Sequence, residues 1–275
     1  MFLIHDLSTK EGRRARAEIP QSTRKAPILV YNRMPTLARL SQHYDAKYKA
    51  ADFKNVKAVP LVASPRDRMQ MAVYHAARQA RGSYLEVGAG DGSTILALME
   101  KYDRFVATDL SEVRVRQMQL LFRANSKVQV LENNVEVDGL PFPEGEFDTA
   151  AMVDVIEHVV DPIGVLGEIH RVLKPEGRLI ILTPNIAKWT RRVKLLAGYF
   201  PSTASLREGL LHYDRSSPTD LLDEGHLHYF TFRSLTRLAL ERAGFSRSET
   251  AGYGRWFICR TWPEMFSDVC AILYK

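Results

Sequence analysis

The chain has 275 residues, of which 45% are hydrophobic and 25% charged, with a formal net charge of +6. That is the balance of an ordinary globular protein long enough to bury a full core. Its apolar runs, such as Arg178 to Thr183, are strand-length and too short to cross a bilayer. The short apolar start Met1–Ile4 followed by charges has the wrong order for a secretory signal, so a cytoplasmic protein without a transmembrane segment is expected. The two cysteines, Cys259 and Cys270, are expected as reduced core thiols.

Residues 1–62 are expected to form a basic, partly helical N-terminal extension. The first 60 residues hold 12 Lys/Arg against 5 Asp/Glu, and the remainder of the chain is close to neutral. A basic arm can meet nucleic acid, anionic lipid or an acidic substrate. Its basic residues are dispersed with few aromatics among them as stacking platforms, which favours a solvated helical surface over nucleic-acid binding. Helices are predicted over 36–50 and 66–80, the second on the spacing of Met69, Val73 and Ala76.

From there strands and helices alternate. Strands are predicted at Tyr84–Val87, Phe105–Thr108, Val128–Leu131, Thr149–Val153 and Leu179–Leu182, with helices near 93–101, 112–124 and 162–173 between them. Asp161-Pro162 starts the third of these helices, and Lys174-Pro175-Glu176-Gly177 stops it. An insertion (184–230) follows the fifth strand. A helix at 232–243 ends at Gly244, and two last strands fit Arg255–Arg260 and Val269–Tyr274. The alternation implies an α/β fold: a Rossmann-like, seven-stranded, mostly parallel sheet with helices on both faces, over residues 63–275.

The sharpest motif is Glu86-Val87-Gly88-Ala89-Gly90-Asp91-Gly92, where an apolar strand hands over to a helix. That junction is the carboxyl edge of a first strand, where ligands bind in doubly wound sheets. A dinucleotide fingerprint would place a third glycine where Ser93 stands. The acids Glu86 and Asp91 would face a pyrophosphate poorly and suit a ligand carrying a cationic amino group and a sulfonium. Asp109 ends the second strand, 17 residues after Gly92. A carboxylate there can accept both hydroxyls of a ribose.

Together with Leu140-Pro141-Phe142, Phe147-Asp148 and Arg171-Val172-Leu173-Lys174-Pro175-Glu176-Gly177, these motifs resemble class I S-adenosylmethionine-dependent methyltransferases. The likeness is to the small-molecule branch with ubiquinone-pathway and methionine-biosynthesis-associated members, and it covers roughly residues 80–275. The resemblance implies S-adenosyl-L-methionine as cofactor. Glu86 and Gly88 would line its methionine end, Gly90 would leave room for the sugar, Asp109 would hold the ribose and Leu110 would pack on adenine. Asp154 joins this cofactor-binding set. For the adenine amino group the choice is Asn134, with Glu136 as rival, because the spacing to Leu-Pro-Phe is one residue longer than in the family.

Candidates for the acceptor side follow the fourth strand, in Asp154-Val155-Ile156-Glu157-His158, and close the insertion, in Gly225-His226-Leu227-His228-Tyr229-Phe230. Imidazole can serve as base near neutrality, so His158, His226 and His228 are the catalytic candidates. A minority reading takes Asp154, Glu157 and His158 as a metal group like that of some ubiquinone-pathway O-methyltransferases and terminal-RNA 2′-O-methyltransferases, completed by His226 or His228; no metal ligand is assigned. The run from Trp189 to Pro201 mixes cations and apolar residues, as a lid or packing helix would. The expected activity is methyl transfer to a small-molecule or glycan-linked acceptor, with oxygen as the favoured atom. The alternatives are an RNA or nucleoside methyltransferase with a metal-assisted site, and a methyltransferase-fold protein that binds a partner without catalysis. The oligomeric state is not legible.

Overall fold

The computed structural model describes Asp45, residues 56–203 and residues 226–275. They belong to one compact unit, Leu37–Lys275. The expected helix at 36–50 lies outside the described residues except for Asp45, which is helical. Most of the expected extension (1–62) and the centre of the insertion (204–225) also lie outside them.

The elements run α1 (Arg68–Arg78), β1 (Ser83–Val87), α2 (Ser93–Leu98), β2 (Arg104–Asp109), α3 (Glu112–Leu121), β3 (Val128–Glu132), β4 (Phe147–Val153), α4 (Pro162–Val172), β5 (Leu173–Thr183), α5 (Trp189–Leu196), α6 (Phe232–Arg242), β6 (Arg247–Thr250), α7 (Ile258–Thr261), α8 (Pro263–Phe266) and β7 (Val269–Tyr274). The seven strands form one sheet in the order β3-β2-β1-β4-β5-β7-β6. Strands β1 to β5 pair in parallel, and β7 runs against both of its neighbours. The order reverses between β1 and β4, and a crevice opens at the carboxyl ends of the strands at such a reversal.

The central strands are apolar on both faces because both are covered. Ala150 and Met152 of β4 and Leu179 and Ile181 of β5 face one core, with Val165, Leu166 and Ile169 of α4 and Leu235 of α6. Their alternates Ala151, Val153, Ile180 and Leu182 face the other, with Met71 and Val73 of α1 and Ile95 of α2. Helix α4 starts where Asp161 Oδ1 accepts from the N–H groups of Ile163 and Gly164, with Pro162 in the first turn. Burying each large apolar side chain of such a face contributes about 1.5–3 kcal/mol.

Two expectations are corrected. Arg255–Arg260 is not a strand: the sixth strand is Arg247–Thr250, and the Arg255–Arg260 segment enters the short helix α7. Both edges of β7 are already taken, by β5 and β6, so the aromatic run at 256–257 has no strand to pair with. The polar Arg-Ser-Glu-Thr of β6 shows no alternation because it is a largely exposed edge strand. The Lys174–Gly177 stop does end α4, but it lies inside β5 as an irregularity. The pairing jumps from Phe147↔Leu173 to Thr149↔Arg178, with Glu176 at φ +63°. Cys259 and Cys270 are buried free thiols. Among the described residues no helix is long and apolar enough to cross a membrane.

Candidate active site

The ends of β1, β2, β3 and β4 enclose a cavity of about 380 Å³ at the reversal of strand order. After Val87 the chain turns up over β2, and the N–H groups of Gly88 and Ala89 both donate to Thr108 O, at 2.8 and 3.0 Å. Gly88 sits at φ +71°, and a Cβ there would lie 2.3 Å from Val155 Cγ2. Gly90, at φ +58°, has nothing within 4 Å of the place a Cβ would occupy, and it lines the cavity. The first glycine lets the loop pass a neighbour and the second leaves room for a ligand.

Asp109 is held by the backbone on both oxygens. Gly90 N donates to Oδ2 and Ser111 N to Oδ1, each at 2.9 Å. Burial raises its pKa, against the lowering effect of these two donors. The carboxylate is thus fixed in the cavity wall with lone pairs left for a further donor, and Leu110 lines the same wall. Glu86 is 2% exposed. Thr94 Oγ1 lies 2.5 Å from both of its carboxylate oxygens. Burial, with the charges of Asp91 and Asp109 adding to it, pushes its pKa up to about 8. Such a carboxyl is neutral near pH 7 until a cation is brought beside it. Asp91 also lines the cavity while its Oδ1 accepts from Ser93 N at the start of α2.

On the β3 side, Asn134 and Glu136 both line the cavity. Asn134 Oδ1 accepts from Glu136 N at 3.1 Å. Glu136 Oε1 accepts from the N–H groups of Val160 and Asp161, at 2.6 and 2.9 Å. Asn133, which the spacing to Leu-Pro-Phe does not single out, lines the cavity as well. Its Nδ2 donates to Gly139 O, and its Oδ1, buried in the cavity wall, has no partner among the described residues. Its position directly after the strand was the available signal. Asp45 is not marked by a motif either: its Oδ1 accepts from Ser111 Oγ at 2.7 Å and Val113 N at 3.2 Å, beside Asp109.

The β4 edge is built differently. Asp154 follows the strand at φ +54°, and its Oδ2 pairs with Arg68 Nε at 3.1 Å. Arg68 stands at the first turn of α1, where no sequence motif marks it. His158 lines the cavity, and its ring packs edge-on against His226 with centroids 4.6 Å apart. His226 Nδ1 lies 2.5 Å from Thr203 Oγ1. His228 is directed elsewhere, with Nε2 3.3 Å from Val160 O. The three histidines therefore divide: His158 on the cavity, His226 against it and His228 on a neighbouring carbonyl.

Glu157 is 1% exposed. Thr183 Oγ1 donates to its Oε2 at 2.9 Å, while Oε1 has no partner among the described residues. Its backbone oxygen accepts from Leu227 N and His228 N, which ties the end of the insertion to the β4 edge. Burial, then the nearby charge of Asp154, raises its pKa to about 7. Ligand atoms of Glu157, His158 and His226 lie within 4.8 Å of one another, a spacing that could hold a metal ion, whereas Asp154 is engaged by Arg68.

Comparison with known proteins agrees with this geometry. The family model described as "Methyltransferase domain" matches residues 62–248. The chain is 30% identical over 118 residues to a ubiquinone/menaquinone biosynthesis C-methyltransferase of Citrifermentans bemidjiense, covering 38% of this chain and 48% of the relative. It is 28% identical over 109 residues to a ubiquinone biosynthesis O-methyltransferase of Pseudomonas paraeruginosa, covering 37% and 44%. These matches thus span about half or less of each relative's length. A solved S-adenosylmethionine-dependent methyltransferase of Thermotoga maritima superposes with a TM-score of 0.51 at 22% identity, over 75% of this chain and 87% of that one. The strand order, the glycine loop closing over β2 and the match over residues 62–248 lead to one statement: the chain belongs to the methyltransferase-domain family and has the fold of S-adenosylmethionine-dependent enzymes.

Proposed function

We propose that the protein transfers a methyl group from S-adenosylmethionine to an oxygen of a small-molecule or glycan-linked acceptor. The observation that carries this reading is His158 on the wall of the cavity that Glu86, Gly90 and Asp109 also line. Bound S-adenosylmethionine supplies an electrophilic methyl on a sulfonium leaving group, and the rest falls to the chain. Asp109 would accept the ribose hydroxyls, Leu110 would pack on adenine and Asn134 would read its amino group. Glu86 would give up its proton and meet the ligand's ammonium, beside Gly88. Asp154, held by Arg68, would border the methionine end.

His158 is the base of this proposal, with His226 positioning its ring and His228 bracing the turn at Val160. With the methyl donor bound, transfer of its methyl from sulfur to the acceptor oxygen would send the hydroxyl proton to the His158 imidazole. The products are a methyl ether and S-adenosylhomocysteine. Holding the reacting atoms in line supplies much of such an acceleration, and the base adds to it. The relatives named above include both a C- and an O-methyltransferase. The imidazole on the wall favours oxygen, because a hydroxyl must lose its proton and an activated carbon can lose it elsewhere.

A second, metal-assisted reading is favoured by the Glu157, His158 and His226 spacing. There the ion would lower the pKa of an acceptor hydroxyl. The test is turnover on a panel of hydroxylated metabolites with and without EDTA. Methylation that survives EDTA and is lost in His158→Ala supports the base. Loss in EDTA with recovery on adding Mg²⁺ or Zn²⁺ supports the metal. Methylation of carbon acceptors alone overturns the oxygen assignment.

A further inference from the structure

The chain holds three tryptophans, and all are exposed: Trp256 by 69%, Trp262 by 56% and Trp189 by 39%. Tryptophan is highly buried on average, so this placement asks for a reason. In the loop between β6 and β7, α7 turns Cys259 inward and leaves Trp256, Phe257, Ile258 and Trp262 in solvent, with Arg255 and Arg260 exposed among them. No Asp or Glu occurs from Ala251 through Pro263.

Helix α5 repeats the pattern. A helix made only for water turns its charges outward, but here Arg191 and Lys194 are buried, whereas Leu195 and Leu196 are exposed beside Arg192. No acidic residue occurs from Asn185 through Phe200. Both segments are fastened at one corner of the sheet's carboxyl edge. Asn185 Nδ2 donates to Glu264 O and Ser267 O, at 2.9 and 3.0 Å, and Arg191 Nη1 pairs with Asp268 Oδ1 at 3.1 Å.

We propose that the 255–262 loop together with α5 is a docking surface for an anionic lipid bilayer. Indole rings belong at the headgroup level, where one end is apolar and the other wet. Leucine and phenylalanine tips reach the acyl boundary, and arginines meet lipid phosphates. The single sign of charge across both segments selects an anionic surface over a zwitterionic one. This inference stands apart from the catalytic reading: it requires neither His158 nor a particular acceptor.

The test uses the whole protein and its own fluorescence, because every tryptophan lies in the surface. Vesicles of phosphatidylcholine containing phosphatidylglycerol should shift the emission to the blue and carry the protein down on sedimentation. Pure phosphatidylcholine should do so far less, and added salt should weaken the effect. The double substitution Trp256→Ser with Phe257→Ser should lower vesicle affinity about tenfold or more. Arg255→Glu with Arg260→Glu should lower it for anionic vesicles alone. Unchanged S-adenosylhomocysteine binding or unfolding temperature would show that the variants are folded. Three results overturn the proposal: no shift and no co-sedimentation, equal vesicle binding by the folded variants, or a vesicle-independent blue shift that rises with concentration as the protein sediments as a dimer. The last would assign the surface to a second copy of the chain.

Discussion

The two sides of the cavity are positioned by different means. On the β1–β2 side the backbone does the work: Gly88 N and Ala89 N grip Thr108 O, and Gly90 N and Ser111 N grip Asp109. On the β4–β5 side, side chains meet across long stretches of sequence: Arg68 with Asp154, Thr183 with Glu157, Thr203 with His226. A site held by its own backbone varies little with what surrounds it. One held by side-chain pairs can be retuned by substitutions that leave the fold alone, as would suit the half proposed to meet the acceptor.

The largest expected effect lies on the side-chain-built half. His158→Ala should lower turnover by about 10²–10⁴-fold while S-adenosylhomocysteine affinity, measured by calorimetry, stays at the wild-type value. Proton removal is felt in the transition state and cofactor binding is not. Normal turnover in this variant would leave catalysis to positioning alone and remove the base from the account.

The backbone-built half gives the reverse pattern. Asp109→Ala removes a charged acceptor from the ribose hydroxyls, worth about 1.5–3 kcal/mol. Calorimetry should show cofactor binding weakened roughly 10- to 150-fold, with circular dichroism unchanged. Wild-type affinity in this variant would withdraw the ribose assignment.

How much of this was legible follows the same division. The strand–glycine loop–helix junction and Asp109 at a strand end are local patterns, and the structure places them together as the spacing implied. Arg68 and Asp45 are single residues tens of positions from what they touch, and no local period marks them. Arg255–Arg260 misled because exposed aromatics imitate a strand. Arg247–Thr250 escaped notice because an edge strand need not alternate. Sequence sets His158 directly after the fourth strand and His226 and His228 at the close of the insertion, and only the fold separates a ring on the cavity from one on a carbonyl.

A moderate effect is expected from pH. Glu86 has its folded pKa raised to about 8, above its unfolded value, so its contribution to stability is complete below about pH 4.5 and is lost as pH rises through 8. His75, lowered to about 4 by burial, imposes the opposite slope below its unfolded value. The clean window is therefore about pH 6.5–8. There the ligand-free protein should lose Tm with rising pH, and Glu86→Gln should flatten that loss. Glu157, raised to about 7, acts in the same direction and should leave a residual slope in the variant. Equal slopes in wild type and variant would show that Glu86 is ionised throughout.

The smallest effect tests whether Asp45 supports the backbone-built half. Asp45→Ala removes the acceptor for Ser111 Oγ and Val113 N. It should weaken cofactor binding only a few-fold, because Asp45 acts on Asp109 through Ser111 rather than on the cofactor itself. A loss as large as that of Asp109→Ala would mean that the contact orders the ribose site itself.

The central claim, a cofactor site built for an aminoacyl sulfonium nucleoside, is tested most directly by titrating the protein with S-adenosylhomocysteine and with NAD in one calorimetric series. The account expects micromolar binding of S-adenosylhomocysteine and none of NAD, because Ser93 replaces the third glycine of a dinucleotide loop and the buried Glu86 can ionise against a ligand ammonium, whereas a pyrophosphate offers it no counter-charge. Binding of NAD with no binding of S-adenosylhomocysteine would contradict it.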